Sequence, residues 1–367
     1  MNNEIYFSSG NKSNRLLALD AVRGLAVIGM YIQHFALKEQ NAFVSGNTMI
    51  LFIFCSGISY VMMAESMKRK TENITVFRAR ILARSVFIDL IGYIILMLNC
   101  PFAVVLQTYA MLYILTIGLI KCSKRKLIII SVIGFILCPP LMTVGRSLFE
   151  GIALLSDIAG GSLSALAWFP VFTVGMAVGK MELKSAPTAV TIAVTGLVIL
   201  VPIKMFTVYI LPNLYEGFSA WLMQFPSIIN PQIDPYAVWP KNTAPPLWHM
   251  LLMDAPQGGS SFELLIGTGG SLILMGAALI TEKKFNFILS LFANIGKAAL
   301  TLYSAQFVVA WFMMILGIDP TTVGSLIPWG DIVIGAVVLA VGQLISLMPG
   351  GPLELAIRKF ESMFYKI

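Results

Sequence analysis

The chain has 367 residues, 57% of them hydrophobic and only 12% charged, where soluble domains carry about a quarter charged residues. That balance excludes a water-soluble domain of ordinary size and predicts an all-α polytopic integral membrane helical bundle. The net charge of +7 is spread as short basic segments between apolar runs, so it reports membrane orientation and argues against nucleic acid as a partner.

Apolar runs long enough to span a bilayer lie at roughly 16–37, 47–66, 81–99, 102–121, 127–145, 162–181, 187–211, 261–281, 292–317 and 330–349, which predicts about ten transmembrane helices. With a cytoplasmic N-terminus, the inner segments hold 19 of the 25 Lys and Arg residues. The outer ones hold Lys38, Arg146 and Lys241, and Arg23, Lys204 and Lys297 fall inside spans. This asymmetry places both termini in the cytoplasm. The expected organisation is a cytoplasmic segment 1–15, one transmembrane domain 16–349 and a cytoplasmic segment 350–367. The first run carries Asp20 and Arg23 and has no clear small-residue cleavage site, so it reads as a retained helix. Two outer loops are long, Arg146 to Gly161 and 212–260. The second holds seven prolines before Pro256, together with Trp221, Trp239, Trp248, His249 and Asp254. Its aromatic residues suit either an acceptor entrance or an interfacial belt. The basic stripe between Glu72 and Ser85 is expected to lie along the inner membrane surface. The cysteines Cys55, Cys100, Cys122 and Cys138 lack the paired spacing of a metal site or disulfide framework, so no metal is expected.

The first span concentrates the chemistry. Asp20 and Arg23 are three residues apart and can pair, and His34 lies eleven residues beyond Arg23, about three turns or roughly 16 Å along the same helix face. Val27 and Met30 share that face and Tyr31 flanks it. Ionisable groups inside a span are functional candidates by default. The stripe suggests a polar route from an inner anionic ligand to an outer proton acceptor. A packing pair with an interfacial histidine is the competing reading. His34 and His249 are the only histidines, both expected on the outer side, and imidazole is the side chain suited to accept a proton near neutral pH. Gln33, Asn47 and Gln306 are candidate donors to an oxyanion. No strong nucleophile stands out: the GxSxG elbow is absent, and CSGIS at Cys55 to Ser59 lies within a span, so direct attack by an acceptor hydroxyl or amine is the simpler route. Lys297 and Lys204 are expected to snorkel. Asp89 is expected to pair with Arg23 or Lys204, and Glu263 to cap the helix that begins after Ser260 and Ser261.

Several segments together resemble one family. RLLALDAVRGLAVIGM from Arg15 is similar to the opening helix of the transmembrane acyltransferases, the superfamily joining YeiB-like bacterial proteins, heparan-α-glucosaminide N-acetyltransferase and the acyltransferase-3 family. FIFCSGISYVMMA from Phe52, FAVVLQTYAMLYIL from Phe102 and WFPVFTVGMAVGK from Trp168 extend the resemblance. FELLIGTGGSLILMGAALI, IGKAALTLYSAQ and GGPLELAIRKF make the last third look YeiB-like.

The resemblance implies transfer of an acetyl or short acyl group from cytoplasmic acyl-CoA (acetyl-CoA) to an extracytoplasmic glycan, lipid-linked sugar or related acceptor. The setting it implies is the bacterial cytoplasmic membrane, with membrane lipids around the protein and a homodimer as one possible assembly. By position, Asp20 and Arg23 match the family's LD-x-x-RG pair, Lys297 the basic residue before ALT, and Glu354 and Arg358 the closing GPLE-x-x-x-R. Two departures stand out: His34 takes a position where YeiB-like relatives often have Asn, and Gln257 replaces a loop His that many relatives carry. Gln is no general base, so His34, with His249 as second choice, is the expected base. The rival functions are a metabolite transporter or channel using the same stripe, and a non-catalytic family member.

Overall fold

The computed structural model describes residues 15–69, 74–149, 152–225 and 247–364. Several sequence expectations lie outside these residues: positions 1–14 with Lys12, Lys70, Glu72, the stretch 226–246 with Trp239 and Lys241, and Lys366.

Every described element is helical. The helices are α1 (Leu17–Phe35), α2 (Asn47–Arg69), α3 (Ile74–Leu96), α4 (Leu106–Leu115), α5 (Lys124–Phe149), α6 (Ala153–Ala159), α7 (Ala165–Gly179), α8 (Ala186–Tyr209), α9 (Leu211–Leu222), α10 (Ser261–Thr281), α11 (Asn286–Lys297), α12 (Ala299–Ile315), α13 (Gly330–Ser346) and α14 (Pro352–Met363). Apolar character dictates this, because in lipid each helix satisfies its own backbone groups. Four segments are long and apolar enough to cross a bilayer, Glu39–Met67, Lys124–Phe149, Ala186–Tyr209 and Ser261–Thr281, or five if the bent pair α11 and α12 counts as one crossing. The helices α4, α7 and α13 are apolar but shorter. All ten predicted runs fold as helix, and four or five meet the length and composition of a crossing.

Three expectations change in detail. The run 292–317 is not one rod: it breaks at Ala298 and turns by 66°. The carboxylate of Glu354 holds the break open, accepting from Leu300 N–H (2.7 Å), Thr301 N–H (3.2 Å) and the Thr301 hydroxyl (2.5 Å) at the start of α12. The described part of the basic stripe, 74–85, is not a separate surface helix. It continues into α3, because Arg80 and Arg84 turn inward to the buried Glu361 of α14 at 2.7 and 2.5 Å. The two long loops are partly helical, with α6 in the first and α9 plus a short 3₁₀ turn (Trp248–Leu252) in the second.

Helix packing at the core depends on small residues, as expected where lipid supplies no hydrophobic drive between helices. A Cβ on Gly296 of α11 would sit 1.8 Å from the carbonyl oxygen of Asp20, and one on Gly24 of α1 would sit 2.0 Å from that of Phe292. These two glycines therefore let α1 and α11 touch backbone to backbone beside Asp20. The helices run between two ends. One gathers the α1 C-terminus, where Gly324 N–H donates to Phe35 O at 2.7 Å, and the other gathers Arg15, Lys180 and the α3–α14 ion pairs. Trp168, Phe54, Phe172, Tyr60 and Phe307 are the largest side chains buried between them.

Candidate functional site

At the basic end, α1 presents a three-membered charge group. Asp20, 5% exposed, binds Arg23 Nη1 at 3.3 Å and Arg15 Nε at 3.2 Å. Arg23 also donates to Ser59 Oγ on α2, and Ser59 in turn donates to Cys55 O at 2.8 Å. Two guanidinium groups and one carboxylate leave a surplus of one positive charge. Removing these charges from water is costly unless each is paired and hydrogen-bonded, which this group achieves while leaving Arg15 at the rim. Lys297 follows Gly296, the residue against Asp20, and donates to Asn294 Oδ1 at 2.9 Å. Asn294 continues to Gln343 of α13 at 2.8 Å.

At the opposite end of α1 lies His34. Its ring stacks on Phe102 with centroids 4.1 Å apart and meets Phe307 of α12 edge-on at 6.0 Å. Gln306, fully buried, lies against the imidazole of His34, and the two side chains interact with each other. Beyond this contact, neither the Gln306 amide nor Nδ1 of His34 has a well-aligned hydrogen-bond partner. Buried polar groups are nearly always satisfied, so a pair that rests on a single weak contact marks this spot.

The remaining candidates are dispersed. Gln33 accepts from Thr48 Oγ1 at 3.2 Å, and Asn47 donates to Phe43 O at 2.8 Å on the α2 entry. His249 sits in the 3₁₀ turn against Tyr215, 6.3 Å between ring centroids, and makes no ring contact with His34. Gln257 adopts a left-handed backbone (φ +60°) and donates its N–H to Glu263, as does Gly259 at 2.8 Å. Glu263 also donates its own N–H to Ser260 Oγ at 3.2 Å, so the capping oxygen of α10 is that of Ser260, while the Glu263 carboxylate sits in the first turn and pins the Gln257 loop instead. Asp89 pairs with neither expected partner. Arg23 is held by Asp20 and Ser59, and Lys204 binds Asp254, in the segment before α10, at 2.8 Å. Lys204 therefore does not snorkel inward.

The expected open route along the stripe is packed shut between its ends. Val27 and Met30 are buried in the core, and Phe102 covers His34. Tyr31 donates to Leu302 O at 2.8 Å, tying α1 to α12 between the two polar ends. Two depressions lie elsewhere. One is an open cleft of about 490 Å³ lined by the 99–101 turn and the segment 314–320, and the other holds about 10 Å³ near Met142 and Met250. Among the described residues no group of three His, Cys, Asp or Glu side chains is placed to hold a metal ion.

Residues 15–206 match the family described as heparan-alpha-glucosaminide N-acetyltransferase, catalytic. The match spans more than half the chain. The chain belongs to this family. No curated protein and no solved structure matches it. The heparan-alpha-glucosaminide N-acetyltransferase match contains the charge group, Gln33, His34 and Asn47 and ends within α8, so Lys297, Gln306, His249, Gln257 and Glu354 lie beyond it. Within the matched part, sequence reading missed Phe102 and Ser59 as members of the site. Both stand in motifs quoted for the resemblance, but their pairing with His34 and Arg23 links elements 68 and 36 residues apart, beyond any local pattern.

Proposed function

We propose that the protein is a membrane-embedded acetyltransferase with both termini in the bacterial cytoplasm, moving an acetyl group from cytoplasmic acetyl-CoA to an amine or hydroxyl acceptor on the far side. The observation that carries this reading is the buried polar pair at the non-basic end, His34 and Gln306, which face each other and have no other well-aligned partner. Each such group left open costs about 1–3 kcal/mol, which a reacting carbonyl and its attacking acceptor would recover. Membership of an N-acetyltransferase family and the apolar helices support the same activity.

In this mechanism the net positive Arg15–Asp20–Arg23 group, with Lys297 nearby, holds the phosphates of the donor. The thioester has to reach His34, roughly 16 Å along α1 from that anchor, so this step requires the packing around Val27, Met30 and Phe102 to open when the donor binds. His34 accepts the proton of the acceptor as its nitrogen or oxygen bonds to the acetyl carbon. The Gln306 amide N–H donates to the oxyanion, the C–S bond breaks, and the imidazolium of His34 returns its proton to the sulfur so that CoA leaves as the thiol. His249, Gln33 and Asn47 have no part in these steps, since each is committed elsewhere.

The test is a titration of purified protein with acetyl-CoA, followed by thermal unfolding. At 100 times Kd a ligand of the folded state stabilises by about 2.7 kcal/mol. A raised Tm together with acetyl transfer is expected. His34→Ala should keep the Tm response and lose about 10²–10⁴-fold in turnover. No Tm response in wild type overturns the donor assignment, and wild-type turnover by His34→Ala overturns the base.

A further inference from the structure

The last helix sorts its charges by face. Both acidic residues of α14 point into the protein: Glu361 is fully buried and takes Arg80 and Arg84 of α3 at 2.7 and 2.5 Å, and Glu354 caps the start of α12. Ile357 is buried on that side, Phe360 meets Phe87 of α3 with ring centroids 5.5 Å apart, and Leu353 N–H donates to Thr301 Oγ1 at 3.0 Å. Both basic residues, Arg358 and Lys359, are exposed, and among the described residues neither enters an ion pair.

Leu355 and Met363 share the outward side, 40% and 63% exposed. Positions 355, 359 and 363 follow one another every four residues and 358 lies between them, so the four side chains form one stripe of mixed character along the helix. Facing the cytoplasm, the stripe would leave two large apolar side chains in water. Facing acyl chains, it would strand two cations. The headgroup layer suits both, with Leu355 and Met363 at the acyl boundary and the guanidinium and ammonium groups among the phosphates. The place of α14 fits that layer. It lies at the basic end of the bundle, and residues 347–351 alone join it to the apolar helix α13.

We propose that α14 docks its Leu355, Arg358, Lys359 and Met363 face on the anionic phospholipid headgroups of the adjoining leaflet. The contact steadies the brace that Glu354 and Glu361 build from α14 to α12 and α3. The docking is independent of the acetyltransferase reading. Its consequence for turnover rests on that reading, because α12 carries Gln306 and Phe307 beside His34.

The full-length protein in nanodiscs tests it, in phosphatidylcholine alone and in phosphatidylcholine mixed with phosphatidylglycerol. Amide hydrogen exchange over residues 352–363 reads the docking. Phosphatidylglycerol should slow this exchange about tenfold, and the double variant Arg358→Gln, Lys359→Gln should lose the slowing. Lys124→Gln, which removes an exposed cation on α5, should keep it. Glycerol phosphate added to the phosphatidylcholine discs should not reproduce it, since a soluble anion offers no acyl boundary to Leu355 and Met363. Equal exchange in the two lipids, slowing that survives in the double variant, or slowing by glycerol phosphate overturns the docking surface. Acetyl transfer is followed in the same discs, and phosphatidylglycerol should raise kcat in wild type and not in the double variant. If exchange responds through Arg358 and Lys359 but no disc supports transfer, the docking stands and the acetyltransferase reading falls. If transfer proceeds while exchange ignores the lipid, the docking falls and the acetyltransferase reading stands. Exchange that responds while kcat does not overturns the brace to α12.

Discussion

Arg23 shows how one residue is both a structural cost and a functional asset. Its guanidinium is mostly removed from solvent, and only Asp20 and Ser59 compensate it. Asp20→Ala should therefore cost about 3–5 kcal/mol, the usual penalty for stranding one partner of a buried ion pair, and the double variant with Arg23→Ala should recover much of that loss. Thermal unfolding of the four proteins of the cycle measures it. Gln306 is a different case. It is fully buried beside His34, so Gln306→Ala should lower Tm through the cavity it leaves. If the amide stabilises the oxyanion, the same variant should also lose about 10²–10³-fold in kcat at unchanged acetyl-CoA affinity. A purely structural glutamine would give the lower Tm with intact turnover.

At the level of elements, the break between α11 and α12 shows where reading a sequence stops. Continuous apolar character over 292–317 predicts one rod, and no glycine or proline at Ala298 signals otherwise. The bend exists because Glu354, more than fifty residues later, supplies the acceptors for the free N–H groups of α12. Glu354→Ala should cost about 1–2 kcal/mol as a lost helix cap. It should also lower kcat by shifting Phe307 and Gln306 on the same helix, whereas Glu354→Gln, which keeps one acceptor, should fall between. Helix positions were legible because hydrophobic periodicity is local. Asp20 with Arg23, and the helix start after Ser260, were legible for the same reason, each being set within one turn. The partners of His34, Arg23 and Lys204 were not, since Phe102, Ser59 and Asp254 come from other helices or loops. The wrong pairing expected for Asp89 has that origin too.

For the molecule as a whole, everything chemical depends on which end faces the cytoplasm, and the chain carries its own reporters. Cys55 and Cys138 are buried, whereas Cys100 and Cys122 are partly exposed at opposite ends. Cys100 lies in the cleft on the His34 side, and Cys122 follows the 3₁₀ turn whose Ile120 carbonyl binds Lys180 at the basic end. Among described residues that basic end carries Arg15, Arg78, Arg80, Arg84 and the run Lys124 to Lys126, while the other holds Lys38, Arg146 and Lys204. Basic segments stay on the cytoplasmic side, so a thiol reagent that cannot cross the membrane should label Cys100 in intact cells and reach Cys122 only after permeabilisation. The opposite pattern would present cytoplasmic acetyl-CoA to His34 directly and leave the Arg15–Asp20–Arg23 group facing outward. Arg23 could then not anchor the donor, and Arg23→Ala, expected to weaken acetyl-CoA binding, would leave it unchanged.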